Sequence, residues 1–303
     1  MTALGTSQQG APSAIPVPQE EPRRRRSRRG VGLNRRPGFV VYLILGLSVL
    51  IFAYPLWWSF VVASGTNATR GQTLPFIPGP NFMKNVNAVL EAVPFWKALG
   101  NSVIVSTVVT ISVVTFSTLA GYAFAKLRFK GRDGLMIFVI ATMAIPTQLG
   151  IIPLFMVMRT LGWVGDIKAV IVPMLVTAFG VFLMRQYLSG VIPDELIEAA
   201  RVDGCNQIRT FWNVAVPAAR PAMAILALFT FMLAWTDFLW PMVVLNAQNP
   251  TLQTALANLQ SGYYIDYSIV LAGAVMATIP VLFLYIAAGK QLISGIMAGA
   301  VKG

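Results

Sequence analysis

Six long apolar runs, separated by shorter polar stretches, set the pattern of the chain. They cover approximately 39–64, 101–124, 135–158, 169–188, 222–245 and 268–288. Each reaches the roughly 20 residues that carry a helix across the hydrocarbon core of a bilayer. The pattern predicts an all-α integral membrane protein with six transmembrane helices. Prolines lie inside or near the ends of five runs, at Pro55, Pro146, Pro153, Pro173, Pro241 and Pro280. Such breaks are tolerated where protein or a water-filled cavity satisfies the freed backbone, so a bundle around a pathway fits better than an anchor. The second run carries Ser102, Ser106, Thr107, Thr110, Ser112, Thr115, Ser117 and Thr118, small hydroxylated residues that suit close helix packing.

Composition agrees with the pattern: 56% of residues are hydrophobic and 11% charged, too few charges to coat a soluble domain of this size. One cysteine, Cys205, and no histidine exclude a disulfide framework, a Cys-rich zinc site and imidazole chemistry. The net charge of +12 raises nucleic acid as a partner, but its distribution points to lipid. Eight basic residues cluster at Arg23–Arg26, Arg28, Arg29, Arg35 and Arg36, directly before the first apolar run, where they meet anionic headgroups. The segment 1–38 reads as a disordered basic tail, its first part rich in Pro, Ser, Gln and Ala.

Six spans put both termini on one side. With the N-terminus inside, 18 of the 23 Lys and Arg residues are cytoplasmic and the last outer loop, 246–267, has none, as the positive-inside rule requires. The expected organisation is a tail (1–38), a first anchor (39–64) that is too long for a cleaved signal peptide, and an extracytoplasmic loop (65–100). A transmembrane core (101–290), including the polar stretch 193–221, and a cytoplasmic C-terminal tail (291–303) follow.

Of the acidic residues only Asp237 falls within a run, in FMLAWTDFLWPMVV. A carboxylate there costs about 2.5 to 3.5 kcal/mol on insertion scales and needs partners. It either lines a pathway and bonds a polar solute or bonds a neighbouring helix. Trp235 and Trp240 are either stacking surfaces for that solute or packing residues.

The cytoplasmic stretch 193–221 interrupts the apolar pattern most strongly. Asp194 can cap a short helix beginning at Glu195, and Gly204 can end it in a left-handed turn. A second short helix can begin at Asn206, with Ile208, Phe211, Trp212 and Ala215 on one face and Gln207 and Arg209 outward. Two amphipathic helices around a glycine elbow make a knob that lies on the membrane or docks into a partner.

Glu198-Ala199-Ala200, then Asp203-Gly204, then nine residues to Val214-Ala215-Val216-Pro217, resembles the EAA motif of binding-protein-dependent ABC importer permeases. Both spacings match. WTDFLWPMVV and the ending GIMAGAVKG resemble the carbohydrate-uptake branch, in particular its smaller six-span subunit, similar to the G-type partner of maltose importers. The resemblance implies that the loop supplies coupling helices to an ATPase subunit, with Glu198, Ala199, Ala200, Asp203, Gly204 and Pro217 at the docking site. It implies a second permease subunit, two ATPase subunits and an extracytoplasmic sugar-binding protein as partners. It also implies that the loop 246–267, with Gln260, Tyr263, Tyr264 and Tyr267, reaches toward that binding protein, and that the segment 295–303 contacts the ATPases. Asp237 stands where the family frequently has Asn, and Val214 and Val216 replace the commoner Ile and Leu.

No GxxxxGK[ST] occurs, so the chain has no phosphate-cradling loop of its own. It is expected to bind no cofactor, leaving ATP and Mg to the partner ATPase, and to catalyse nothing itself. The contrasting readings are a proton-coupled secondary transporter using Asp237, which predicts internal repeats and more intramembrane acids, and a membrane anchor, which needs no knob.

Overall fold

The computed structural model describes residues 38–66, 76–261 and 265–300, with backbone alone for 287–300. Residues 1–37 of the expected tail, with its whole basic cluster, and Tyr263 and Tyr264 lie outside the described residues. The chain forms two units, Met1–Leu50 and Ile51–Gly303. The first contributes the opening turns of α1 (Phe39–Ala63), whose side chains are apolar and exposed almost throughout, as a lipid-facing helix requires.

In the second unit, α2 (Phe82–Ala92) precedes α3 (Phe95–Lys126), and α4 (Arg132–Met143) leads to α5 (Ile151–Thr160). Next come α6 (Lys168–Ile171), α7 (Ala178–Val191), α8 (Asp194–Val202), α9 (Gln207–Thr210) and α10 (Val216–Thr236). The chain then forms α11 (Leu239–Val244), α12 (Leu252–Asn258) and α13 (Tyr267–Ala300). Among the described residues, five stretches are long and apolar enough to cross a membrane: Phe39–Ala63, Phe95–Lys126, Lys168–Val191, Gln207–Thr236 and Tyr267–Ile286. The sixth candidate is a pair, Arg132–Met143 and Thr147–Thr160, bent by 90°.

That bend corrects the expectation of one straight helix over 135–158. Pro146 has no N–H and forces the residue before it out of helical geometry; the chain restarts as a 3-10 turn at Thr147–Gly150. Pro153 is harmless because it falls in the first turn of α5, whose N–H groups have no intrahelical acceptor anyway. The fifth expected span is displaced as well. Its helix stops at Thr236, because in an unbroken helix the ring of Pro241 would meet the carbonyl of Asp237, four residues back. Pro55, Pro221 and Pro280, by contrast, are contained within helices that continue past them.

The core forms where α3 packs along α7 and α10. Gly121 permits a close backbone approach: a Cβ there would lie 2.6 Å from the Met184 Cβ and 2.7 Å from the Arg185 nitrogen. Val105, Val109, Val113, Met184, Leu188 and Leu226 fill the main cluster. Part of the hydroxyl-rich second span stitches breaks elsewhere. The Ser112 hydroxyl donates to the Leu175 carbonyl (2.8 Å), freed where the chain breaks before α7. Ser102 accepts from the Leu252 N–H (2.8 Å), and the Asn101 amide donates to the Pro250 carbonyl (2.9 Å). These bonds anchor the first half of the loop 246–267, which is folded as α12 with Leu252, Thr254 and Ala255 buried. At the same end of the bundle, Asn85 donates to the Ala63 carbonyl (2.7 Å) and the Gly65 carbonyl (3.0 Å), closing the end of α1 against α2.

Candidate functional site

The stretch 193–221 is built from two arms. In the first, Pro193 is the N-cap (φ −62°, ψ 149°) and α8 starts at Asp194, one residue earlier than the sequence suggests. Asp194 is therefore not the cap. Proline pre-sets the entry to the helix and leaves the aspartate in the first turn, where negative charge complements the helix dipole. Its carboxylate reaches sideways to the Lys126 ammonium at the end of α3, with Oδ1 2.6 Å from Nζ. This bond holds the Asp194 carboxyl below the usual carboxylate range. At the other end of α8, the Cys205 N–H donates to the Ala200 carbonyl (2.9 Å) and the Gly204 N–H to the Arg201 carbonyl (3.0 Å). Gly204 has φ +78°. Together these are a Schellman ending, which turns on a left-handed residue as the sequence predicts.

The second arm differs from the expectation. Asn206 is an N-cap, its side chain accepting from the Arg209 N–H at 2.9 Å. No separate short helix follows. Instead α9 passes through a π-helical turn, Phe211–Ala215, directly into α10. The Val216 N–H bonds the Phe211 carbonyl five residues back, and Pro217, lacking an N–H, follows at once. The wider turn absorbs the missing donor without a break, and it also rotates the faces. The buried residues are Thr210, Phe211 and Ala215, whereas Ile208 and Trp212 are 69% and 59% exposed. Phe211 packs on Tyr122 of α3, ring centroids 5.6 Å apart.

Of the residues predicted at this site, Glu198, Ala199, Asp203, Gly204 and Pro217 are exposed; Ala200 is buried with Ile197 on the inner face of α8. Val202, 88% exposed, joins Ile208 and Trp212 as apolar groups at the surface of the two arms. Sequence reasoning missed Tyr122 and Lys126. Their signal is their spacing: four residues apart at the end of a long helix, they share one face.

The residues considered for a solute pathway sit apart from this stretch in sequence. Asp237 ends α10 with extended backbone (φ −65°, ψ 123°). Its carboxylate faces the backbone N–H groups of Trp240, Leu239 and Phe238, at the start of α11 and within the same expected run. Trp235 is buried and stacks on Phe231 (5.7 Å, 16°). Trp240 is also buried, and its Nε1 donates to the Ala169 carbonyl at 3.0 Å. In a regular helix that carbonyl would bond residue 173, which is proline, so the indole supplies the missing donor. Both indoles are packed within this chain. No group of three or more His, Cys, Asp or Glu side chains suited to a metal occurs among the described residues.

Residues 114–291 match the model of the family described as binding-protein-dependent transport system inner membrane component. The chain belongs to that family. It is 36% identical over 269 residues to an arabinooligosaccharides transport system permease protein, AraQ, of Halalkalibacterium halodurans, covering 86% of this chain and 96% of the relative. A lactose transport system permease protein, LacG, of Rhizobium radiobacter is 32% identical over 272 residues (89% and 98% covered). An sn-glycerol-3-phosphate transport system permease protein, UgpE, of Yersinia enterocolitica is 30% identical over 252 residues (79% and 88%). Among solved structures, a chain of a bacterial ABC transporter involved in the import of the acidic polysaccharide alginate aligns with TM-score 0.69 and 27% identity. That alignment covers 83% of this chain and 94% of the other. The fold is thus that of an ABC importer permease, and the protein is an inner-membrane transport component whose partners include an ATPase and a binding protein.

Proposed function

We propose that this permease forms, with a second permease subunit, the pathway of an ATP-driven importer for a sugar or oligosaccharide delivered by an extracytoplasmic binding protein. One of two ATPase subunits docks on the exposed arms around Gly204, on the cytoplasmic side, where the basic loops also lie, and the other serves the second permease. The observation that carries the reading is the surface of those arms. Glu198 and Asp203 stand exposed beside Val202, Ile208 and Trp212, a mixed acidic and apolar surface of the kind that partners cover. The printed functions of AraQ and LacG support a carbohydrate substrate.

In this reading the ATPase holds ATP and Mg and performs the hydrolysis; the permease binds no cofactor. ATP favours the closed ATPase pair, and only that differential affinity can move the docked arms and shift the bundle from inward to outward facing. Asp237 and its flanking indoles serve the pathway as the frame of the break between α10 and α11. The carboxylate holds the start of α11, and Trp240 ties α11 to α6.

The test is reconstitution in liposomes with the second permease, the ATPase and the binding protein, and measurement of uptake from a panel containing lactose, arabinose oligosaccharides and glycerol 3-phosphate. Uptake of a sugar that requires ATP, ATPase and binding protein is expected. Uptake that persists without the ATPase would overturn the reading, and uptake of glycerol 3-phosphate alone would overturn its carbohydrate part.

A further inference from the structure

The elbow between the two arms is held by its own local hydrogen bonds, and no other element packs against it at Gly204. Gly204 has no atom within 4 Å of where a Cβ would stand, and the elbow residues Asp203 and Gly204 are exposed. Contacts beyond the elbow must join both arms to the bundle if a displacement of the knob is to move the bundle rather than bend the knob.

The last turns of α3 meet both arms. Lys126 bonds Asp194 in the first turn of α8 (2.6 Å), and its side chain is only 6% exposed, shut in on the side away from the aspartate. Among the described residues this is the side-chain polar bond that ties α8 to a membrane-spanning helix; the remaining hold is apolar, through Ile197 and Ala200. One helical turn earlier, Tyr122 packs its ring on Phe211 of the second arm. Its hydroxyl donates to the Gln207 Oε1 at 3.5 Å, a long bond that adds direction more than strength. Residues at i and i+4 of a helix lie on one face, so a single face of α3 grips one arm by charge and the other by packing. α3 is also the helix against which α7 and α10 pack.

We propose that Tyr122 and Lys126 are positioning residues for transport: they clamp the two arms at a fixed spacing and pass the movement of the docked knob into α3, and through it to α7 and α10. This rests on the ATPase-docking reading above. The depressed titration of Asp194 agrees with an ion pair that stays formed at neutral pH.

The complete transporter in liposomes, containing Mg-ATP and given the sugar that the wild-type complex accumulates, tests the clamp through three readouts: uptake, ATP hydrolysis and retention of the ATPase on purification. In Asp194→Lys the ATPase is expected to be retained while sugar taken up per ATP hydrolysed falls by about fivefold or more. The exchanged pair, Lys126→Asp with Asp194→Lys, keeps the combined length of the two side chains and is expected to restore the ratio to within about twofold. Tyr122→Phe keeps the ring and is expected to behave as wild type; Tyr122→Ala is expected to uncouple. If Asp194→Lys is not recovered from membranes, Asp194→Asn is read by the same criterion. An unchanged ratio in the single variants, an exchanged pair no better than the worse single variant, or loss of the ATPase in place of a lowered ratio overturns the clamp. Glu198→Lys in parallel separates the two claims. If it also leaves ATPase retention and uptake at wild-type values, docking fails; if it abolishes them while Asp194→Lys changes nothing, only the clamp fails.

Discussion

At the scale of single residues, the loop depends on backbone angles and charges that other side chains would not reproduce. Gly204 sits at φ +78° in open space, so a side chain there meets no neighbour and its cost is conformational, about 1–2 kcal/mol for an ordinary L-residue. Gly204→Val is therefore expected to loosen the end of α8 and reduce ATPase retention several-fold, whereas Gly204→Asn, a residue that tolerates the left-handed region, is expected to retain it. Co-purification of the ATPase with each variant measures the difference. Asp194 makes a second prediction at this scale. Its carboxyl is held below the usual range chiefly by the hydrogen bond from Lys126, aided by the charge of that ammonium. A depressed acid stabilises above its unfolded pKa of about 4, and the contribution is lost only as pH falls through the lower folded value. The coupling difference between wild type and Asp194→Asn should accordingly be flat between about pH 6 and 8, measured as sugar per ATP. A difference that fades within that window would show that another group titrates.

Helices in this chain are interrupted by proline, and the repairs are made by other elements. Trp240 on α11 donates to the Ala169 carbonyl that Pro173 leaves without its helical partner. Trp240→Phe keeps most of the packing but strands that buried carbonyl, a loss of about 1–3 kcal/mol; a lowered thermal midpoint in detergent, with membrane insertion intact, is the expected result. The crossing of α3 and α7 makes the complementary case. A Cβ at Gly121 would lie 2.6–2.8 Å from Met184 and Arg185 atoms, two of them backbone. Since backbone yields less readily than the end of a side chain, Gly121→Val should destabilise by about 1–3 kcal/mol or more, visible as a thermal midpoint lower than that of Trp240→Phe. Comparable midpoints for Gly121→Val and wild type would mean that the helices separate more easily than their packing implies.

For the whole molecule, the orientation proposed from charge can be read with a probe that the chain already carries. Cys205 is its single cysteine, partly exposed at the elbow between the arms. A membrane-impermeant maleimide is expected to label it in inverted membrane vesicles and not in intact cells or spheroplasts, and bound ATPase is expected to slow the labelling. Labelling from the outside would reverse the topology and with it the docking assignment.

The apolar runs and the basic loops sufficed to read a six-run membrane protein, because the length of a helix that crosses lipid and the side on which Lys and Arg accumulate are set by the bilayer rather than by the fold. Gly204 was legible for a similarly local reason: a glycine following an amphipathic turn ends a helix wherever the helix packs. Asp194 is not the cap because Pro193 takes that position; the partner its carboxylate finds instead, Lys126, is 68 residues away, and no local rule reports such a pairing. The buried face of the second arm escaped for a related reason. A regular period of 3.6 residues places Ile208 and Trp212 inward, whereas the π turn ahead of Pro217 rotates them out. Proline told that spans could break, but not which ones. Pro55 and Pro280 stay within continuous helices and Pro146 turns its chain by 90°. The six apolar runs and the glycine elbow thus belong to the sequence alone; where the helices end and restart, which faces are exposed and the grip of α3 on both arms came only with tertiary structure, because each depends on contacts between residues far apart in the chain.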